Sequence, residues 1–254
     1  MKSIFLPLLL FALSLPAFIN AQTEGLIHYK EVIKLDVQLP DDMDPQIKAM
    51  IPTEQSSDKT LYFTANESLY KNREADQEAA TESGSASEDG QVRMKMIVQR
   101  SNSQFFVDHK GRKKVHLRDF MGKKFLINDD LRKRQWKIGN EQKSILGYTC
   151  MKAVLQDTGQ VVEAWFSPQI PAQVGPSGFD QLPGAILAVN IDGGRQSMTA
   201  TAVELKPLDE GIIQAPTKGK KVSQKELDEI IAKKRKEMGA TSGSGNVSVK
   251  LQMN

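Results

Sequence analysis

Apolar and polar positions alternate along most of this chain. In residues 25–35, for example, Ile27, Tyr29, Ile33 and Leu35 share one face, and mainly polar or charged residues occupy the other. A period of two residues is typical of a half-buried β-strand. The pattern recurs at short spacing and predicts about eleven strands, at residues 25–35, 61–65, 94–98, 104–108, 113–120, 124–128, 135–139, 148–155, 161–166, 186–191 and 197–205.

Turn-forming residues join most of these segments, and this sets the expected fold class. Short links between consecutive strands favour an antiparallel sheet over alternating β-α units. A sheet of about this many strands also tends to curl. We therefore expect a mainly β protein, with an antiparallel curved sheet or open half-barrel of about eleven strands and one C-terminal α-helix.

The C-terminal helix is indicated by its capping residues. Ser223 and Glu226 have the spacing of a capping box, in which the serine hydroxyl and the carboxylate satisfy free backbone amides reciprocally. Leu227 and Ile231 begin an apolar stripe at helical spacing, and Gly239 predicts the end of the helix. A short helix is also expected around residues 44–50.

Composition predicts the rest of the domain organisation. Lys2, an apolar run at residues 4–19 and Ala21 form the pattern of a secretory signal peptide, which we place at residues 1–21. The pattern then predicts a β domain at residues 22–210, interrupted by a mobile acidic loop at residues 73–90, a linker and amphipathic helix at residues 211–239 and a flexible tail at residues 240–254. We expect an exported protein, either periplasmic, outer-membrane-associated or secreted, with no transmembrane segment in the mature chain.

Few residues of the chain suggest a chemical reaction. The single cysteine, Cys150, rules out an internal disulfide, and its alternating surroundings predict a buried position. The three histidines, His28, His109 and His116, lack the tight spacing of a metal site. The Gly-x-Ser-x-Gly motif, a phosphate loop and a dinucleotide fingerprint do not occur, and Asp180 is the carboxylate of most interest. We therefore expect no catalytic residues, no metal site and no cofactor, in a protein that is not an enzyme.

A turn-rich region precedes the strand at residues 186–191. Gly175 and Pro176 lead into a hexamer formed by Gln181, Leu182, Pro183, Gly184, Ala185 and Ile186. Together with the segment around Cys150, this region resembles the GLPGLI family of exported bacterial proteins, because four of the six positions match the Gly-Leu-Pro-Gly-Leu-Ile motif. The resemblance implies a cell-envelope protein of a Gram-negative bacterium, of uncharacterised role.

The hexamer also has a physical interpretation. Pro183 fixes φ at one corner of a turn, and Gly184 supplies a positive φ at the next corner, as a type II turn requires. Gln181 in place of glycine indicates that its position does not need a positive φ. Either the turn sets the register of the buried strand that follows, or it presents Phe179 and Leu182 to a partner or ligand.

Three functions remain open at this stage. The preferred one is a non-enzymatic binding or carrier module for an apolar or lipid-like ligand, and the alternatives are a structural or interaction partner of an outer-membrane receptor or transporter and, less favoured, a hydrolase. The basic segment at residues 110–143 is either a set of solvated strand faces or a patch for anionic lipid or polysaccharide. We expect a monomer that does not bind nucleic acid. The candidate apolar ligand face consists of Met94, Met96, Val98, Phe106, Trp136, Trp165, Phe166 and Met198.

Overall fold

One open sheet organises the computed structural model of the chain, which describes residues 23–35, 44–73, 102–156 and 159–241. The strands are β1 (Gly25–Lys34), β2 (Glu54–Phe63), β3 (Glu67–Asn72), β4 (Gln104–Asp108), β5 (Lys113–Phe120), β6 (Lys123–Asp130), β7 (Trp136–Ile145), β8 (Tyr148–Leu155), β9 (Val162–Ser167), β10 (Ala185–Ile191), β11 (Gln196–Glu204) and β12 (Lys220–Lys221). Two α-helices accompany them in these ranges, α1 (Pro45–Met50) and α2 (Gln224–Thr241).

The strand order in the sheet is β12-β6-β5-β4-β3-β2-β1-β11-β10-β9-β8-β7. All neighbouring pairs are antiparallel except β12 and β6, which pair in parallel. The described sheet ends at β12 and β7 and does not close. The expected fold class is therefore confirmed, with twelve strands where the pattern predicts about eleven.

The alternating pattern of β1 places its apolar face in the core. Ile27 and Tyr29 are fully buried, and they share a cluster with Leu61 on β2 and Tyr70 on β3. The Tyr29 hydroxyl donates a hydrogen bond to the Ile186 carbonyl over 2.6 Å. Because a buried phenol needs a hydrogen-bond partner, this bond fixes β1 relative to β10.

A long segment between β9 and β10 covers this part of the sheet. Ile170 and Val174 are buried in the same cluster as Tyr29. The segment runs alongside the start of β10 and is hydrogen-bonded to it. The Ala185 amide donates to the Ile170 carbonyl (3.0 Å), and the Ile186 amide donates to the Val174 carbonyl (2.9 Å). The face of β1, β2 and β3 that carries this cluster is thus filled by the protein itself.

Helix α2 packs on β6, near the β12 end of the sheet. Leu227 and Ile231 contact Phe125 and Ile127 of β6 in a separate apolar cluster. The predicted capping box is confirmed, since the Ser223 amide donates to the Glu226 carboxylate (2.7 Å) and the Glu226 amide donates to the Ser223 hydroxyl oxygen (3.2 Å). The helix continues to Thr241, so the predicted end at Gly239 is two residues too early.

Several expectations fall outside the described residues. These are the signal peptide, most of the acidic loop, the flexible tail beyond residue 241, and the strand containing Met94, Met96 and Val98. The predicted short helix is confirmed as α1, capped by the Asp44 carboxylate, which accepts from the Gln46 amide (2.7 Å). Within the described ranges, no helix combines the length and apolar character needed to span a membrane.

Candidate functional site

The turn of the hexamer differs from the expected type II turn. The Gly184 amide donates to the Leu182 carbonyl over 2.8 Å, which closes a three-residue turn centred on Pro183. Gly184 has φ +149°, and a Cβ atom on it would lie 2.1 Å from the Ser167 carbonyl oxygen. The turn type was therefore predicted wrongly, but the position does require glycine, because of its backbone conformation and its close approach to β9.

Gln181 adopts a left-handed backbone conformation. Its φ is +68°, so the expectation that this position does not need a positive φ is wrong. Its side-chain oxygen accepts from the Arg134 amide (3.0 Å), and its side-chain nitrogen donates to the Arg132 carbonyl (2.9 Å) and to Asp180 Oδ1 (3.1 Å). These three bonds offset the strain of a non-glycine residue in this region.

Asp180, the next residue back along the chain, is almost completely buried. Its Oδ1 accepts from Arg134 Nε (3.1 Å), whereas Oδ2 has no hydrogen-bond partner in the described structure. Burial raises the pKa of the Asp180 carboxyl, and the neighbouring Arg134 and His109 oppose this rise. A buried, incompletely paired carboxylate is a feature of many functional sites.

His109 faces the unpartnered oxygen of Asp180. Its Nδ1 lies 4.0 Å from Asp180 Oδ2, and its Nε2 lies 3.2 Å from the Ser68 hydroxyl oxygen. Burial lowers the pKa of His109, although Asp180 and Asp108 act in the opposite direction. Ser68, His109 and Asp180 follow one another in the order of a nucleophile relay. Ser68 is only 4 % exposed, however, and the His109–Asp180 separation exceeds hydrogen-bond length.

Two aromatic rings flank the same carboxylate. The Trp136 indole donates to the Asp180 backbone carbonyl (2.9 Å), and its ring centroid lies 6.4 Å from that of Phe179. The Arg134 guanidinium carbon lies 5.1 Å from the centre of the Phe179 ring. Trp136, Phe179 and Arg134 are all partly exposed. We call His109, Arg134, Trp136, Phe179, Asp180 and Gln181 the Asp180 cluster.

The residues predicted to form the candidate apolar ligand face do not lie together on one open surface. Phe166 and Met198 lie in the core at 1 % and 0 % exposure, and Phe106 is also buried. Trp165 precedes Phe166 on β9 and therefore points to the other side of the sheet, where Lys143 Nζ lies 4.2 Å from its ring centre. Trp136 belongs to the Asp180 cluster.

Most of the remaining residues of the hexamer region pack in the protein interior. Gly175, Pro176, Leu182, Ala185 and Ile186 are buried. Of the two side chains that the turn could present to a partner, Leu182 therefore packs in the core and only Phe179 is partly exposed.

The other candidate residues have local partners. Cys150 is confirmed as a free, buried cysteine. His28 contacts the Thr60 hydroxyl at 2.9 Å, and His116 contacts the Ser103 hydroxyl at 3.0 Å. His109 and His116 thus interact with different partners. The sequence does not predict the contact between His109 and Asp180, because the two residues are 71 positions apart and neither lies in a recognised motif.

These features define a class of protein, an open and mainly antiparallel β domain whose long β9–β10 segment holds a buried carboxylate. The family then follows from comparison with known proteins. The model of the family described as "N-glycanase peptide, N-terminal domain" matches residues 79–233. This match covers more than half of the chain, and the chain therefore belongs to that family. A comparison with the curated proteins gives no match.

Solved structures with a similar fold support the same relationship. A structure of PNGF-II in space group P21 has a TM-score of 0.52 and 16 % sequence identity, and covers 84 % of this chain and 34 % of its own. A second structure of PNGF-II, in space group C2, has a TM-score of 0.53 and 15 % identity, and covers 84 % of this chain and 33 % of its own. At this identity the likeness shows the fold alone, and the chain spans about a third of the length of these structures.

The family match corrects three expectations. The assignment to the GLPGLI family is wrong, because the N-glycanase family model matches instead. A hexamer that forms a tight turn before a buried strand meets a general requirement of β proteins and identifies a family poorly. The expectations of a lipid or apolar-ligand carrier and of a protein that is not an enzyme are also wrong, because the family model that matches describes the N-terminal domain of an N-glycanase. The structure gives a physical reason against the carrier: Phe166 and Met198, two residues of the candidate apolar ligand face, are buried in a core cluster together with Leu182 of the β9–β10 segment.

Proposed function

We propose that the chain contributes to hydrolytic removal of N-linked glycans, as the part of an N-glycanase-type system that engages the glycosylated peptide. Membership of the N-glycanase N-terminal family is the observation on which this proposal depends. The hydrolase hypothesis, which the sequence favours least, thus becomes the preferred one. Within that hypothesis, we assign binding of the substrate to this chain.

The Asp180 cluster has the chemistry that such a substrate needs. A sugar ring presents an apolar face of C–H groups and a rim of hydroxyls. Trp136 and Phe179 offer partly exposed aromatic surface for the first, and Arg134 and Gln181 offer planar polar groups for the second. The buried Asp180 carboxylate holds both Arg134 and Gln181 by hydrogen bonds, so these groups are fixed before a ligand arrives.

The two tryptophans of the chain allow a direct test. The variant Trp165→Phe leaves Trp136 as the only indole, and the matched variant Trp136→Phe leaves only Trp165. Each is titrated with an N-glycosylated peptide while its tryptophan fluorescence is recorded. We expect a saturable change in Trp165→Phe that is absent in Trp136→Phe. Equal responses of the two variants, or none in either, would contradict binding at the Asp180 cluster.

A second candidate is that the Asp180 cluster itself performs the hydrolysis. The observation in favour is the unpartnered, buried Oδ2 of Asp180 facing His109. In this reaction water adds to the side-chain amide carbonyl of the glycosylated asparagine, the carbon–nitrogen bond breaks, and the glycosylamine leaves while the asparagine becomes aspartate. His109 and Asp180 would exchange the protons that the attacking water loses and the leaving nitrogen gains.

Mass spectrometry of the peptide product in ¹⁸O-labelled water tests this second candidate. Catalysis by the chain predicts a labelled aspartate in the peptide, and loss of that product in Asp180→Asn. Unchanged glycopeptide after prolonged incubation with the native chain would eliminate it while leaving the binding proposal intact.

A further inference from the structure

The two edges of the sheet differ in how well they resist pairing with another strand. One edge is β12, which has only two residues, both exposed lysines, and a short charged strand of this kind discourages pairing. The other edge is β7, which has ten residues. Its Ile138 is 46 % exposed, and within the described part of the chain no strand pairs with its outer side. A long, exposed edge can accept an extended peptide as an additional strand.

The backbone groups that face outward from β7 follow from its pairing with β8. The Gln156 amide donates to the carbonyl of Gln135, the residue before β7, over 2.8 Å. Residues that bond to the neighbouring strand alternate with residues that face away from it. The backbone amide and carbonyl groups of Trp136 and Ile138 therefore point away from β8. A β-bulge after Ile138 ends this regular stretch, so these two residues form the edge that is open to a partner.

Trp136 joins this edge to the Asp180 cluster. Its indole donates to the Asp180 carbonyl (2.9 Å), and its ring centroid lies 6.4 Å from that of Phe179. A strand added beside β7 lies about 4.8 Å from it. The residue of that strand opposite Trp136 projects its side chain on the same face of the sheet as the indole. An asparagine in that position therefore carries its first sugar toward Trp136 and Phe179.

We propose that the peptide of the glycosylated substrate pairs with the outer edge of β7, with the glycosylated asparagine opposite Trp136. The inference rests on the proposed function, and it adds to that function the way in which the peptide is held. Trp136 and Ile138 each offer one backbone donor and one backbone acceptor. They bind the peptide backbone whatever side chains flank the asparagine. Because the open edge is short, this pairing supplements the binding of the sugar and does not replace it.

Single N-methylation of a glycopeptide tests strand pairing directly. The peptides share one sequence and one glycan, and each carries a methyl group on a different backbone amide near the glycosylated asparagine. Each methyl group removes one backbone donor and leaves every side chain in place. Every second amide of a paired strand faces its neighbour. In calorimetric titration of the full chain, we expect about five- to tenfold weaker binding when these alternate amides are methylated, and unchanged affinity for the amides between them.

A pair of protein variants tests the same contact from the side of β7. Ile138→Pro removes the outward amide, and proline is tolerated on an edge strand where the amide faces solvent. The control Ile138→Ala removes the apolar side chain and keeps the amide. Circular dichroism and the thermal midpoint check that both variants remain folded. We expect Ile138→Pro to bind the unmethylated glycopeptide about five- to tenfold more weakly than Ile138→Ala does.

The outcomes separate this inference from the proposed function. Methylation that weakens binding equally at all amides near the asparagine, or at none, overturns the inference alone. A folded Ile138→Pro variant with the affinity of Ile138→Ala does the same. If Ile138→Pro does not fold, the methylation pattern decides by itself. Failure of the unmethylated glycopeptide to bind the native chain overturns the proposed function as well.

Discussion

Protonation of His116 gives a quantitative test of the packing between β4 and β5. The imidazole lies 4.4 Å from the ring centre of Phe105, with its Nε2 3.0 Å from the Ser103 hydroxyl. Burial, with smaller effects from the charges of Arg118 and Lys114, lowers the pKa of His116 from 6.5 to about 4. The folded state therefore resists a proton that the unfolded chain accepts readily.

The sign and size of the effect follow from this difference in pKa. Above the unfolded value of 6.5 both states are neutral at His116, and its contribution to stability is fully present. As the pH falls from 6.5 to about 4, the unfolded state binds more protons and the free energy of unfolding decreases. A difference of about 2.5 pKa units corresponds to about 3 kcal/mol.

Chemical denaturation across this pH range measures the loss. The comparison is with His116→Phe, which keeps an aromatic ring against Phe105 and cannot be protonated. We expect the native chain to lose about 3 kcal/mol more than the variant between about pH 7 and pH 4. Parallel pH profiles for the two proteins, or a His116 pKa near 6.5 in an NMR titration, would refute the reasoning.

Three further perturbations test the site and its supports. Gly184→Ala should lower the free energy of unfolding by at least about 3 kcal/mol. The control Gly193→Ala should lower it by about 1 kcal/mol, because Gly193 also has a positive φ but an added Cβ atom there would contact nothing. Similar losses for the two variants in urea denaturation would contradict the predicted clash at Gly184. Arg134→Ala should cost about 2–4 kcal/mol at neutral pH, because the buried Asp180 carboxylate loses its ion pair. That cost should shrink at low pH, where Asp180 is protonated, and a pH-independent cost would exclude this cause. Ser223→Ala should cost about 1 kcal/mol through loss of the helix cap, and an unchanged unfolding midpoint would show that the cap contributes nothing.

Alternation in the sequence predicts β1, which has a polar face, and misses β3, in which consecutive residues are buried. Tyr29 lies in a strand with polar residues on its opposite face, so β1 has a clear period of two residues. In β3, Ser68, Leu69 and Tyr70 are buried consecutively, so the alternation disappears and the strand was not predicted. Strand β12 has only two residues, both lysine, and gives no apolar signal at all.

The candidate site depends on contacts that no local pattern encodes. Asp180 stands out in the sequence only as a carboxylate beside a turn, and Arg134 as one charge of a basic segment. They meet because the long segment between β9 and β10 crosses the sheet, so that Gly178 packs against Phe105 of β4. The partner of His109 is fixed by the same crossing, which the sequence does not reveal.

A paired calorimetric titration tests the central claim most directly. The full chain is titrated with an N-glycosylated peptide and then with the same peptide carrying aspartate at the former glycosylation site. We predict saturable binding of the glycosylated peptide and no binding of its deglycosylated form at the same concentrations. Equal binding of the two peptides, or binding of neither, would contradict a role for this chain in recognising N-linked glycans.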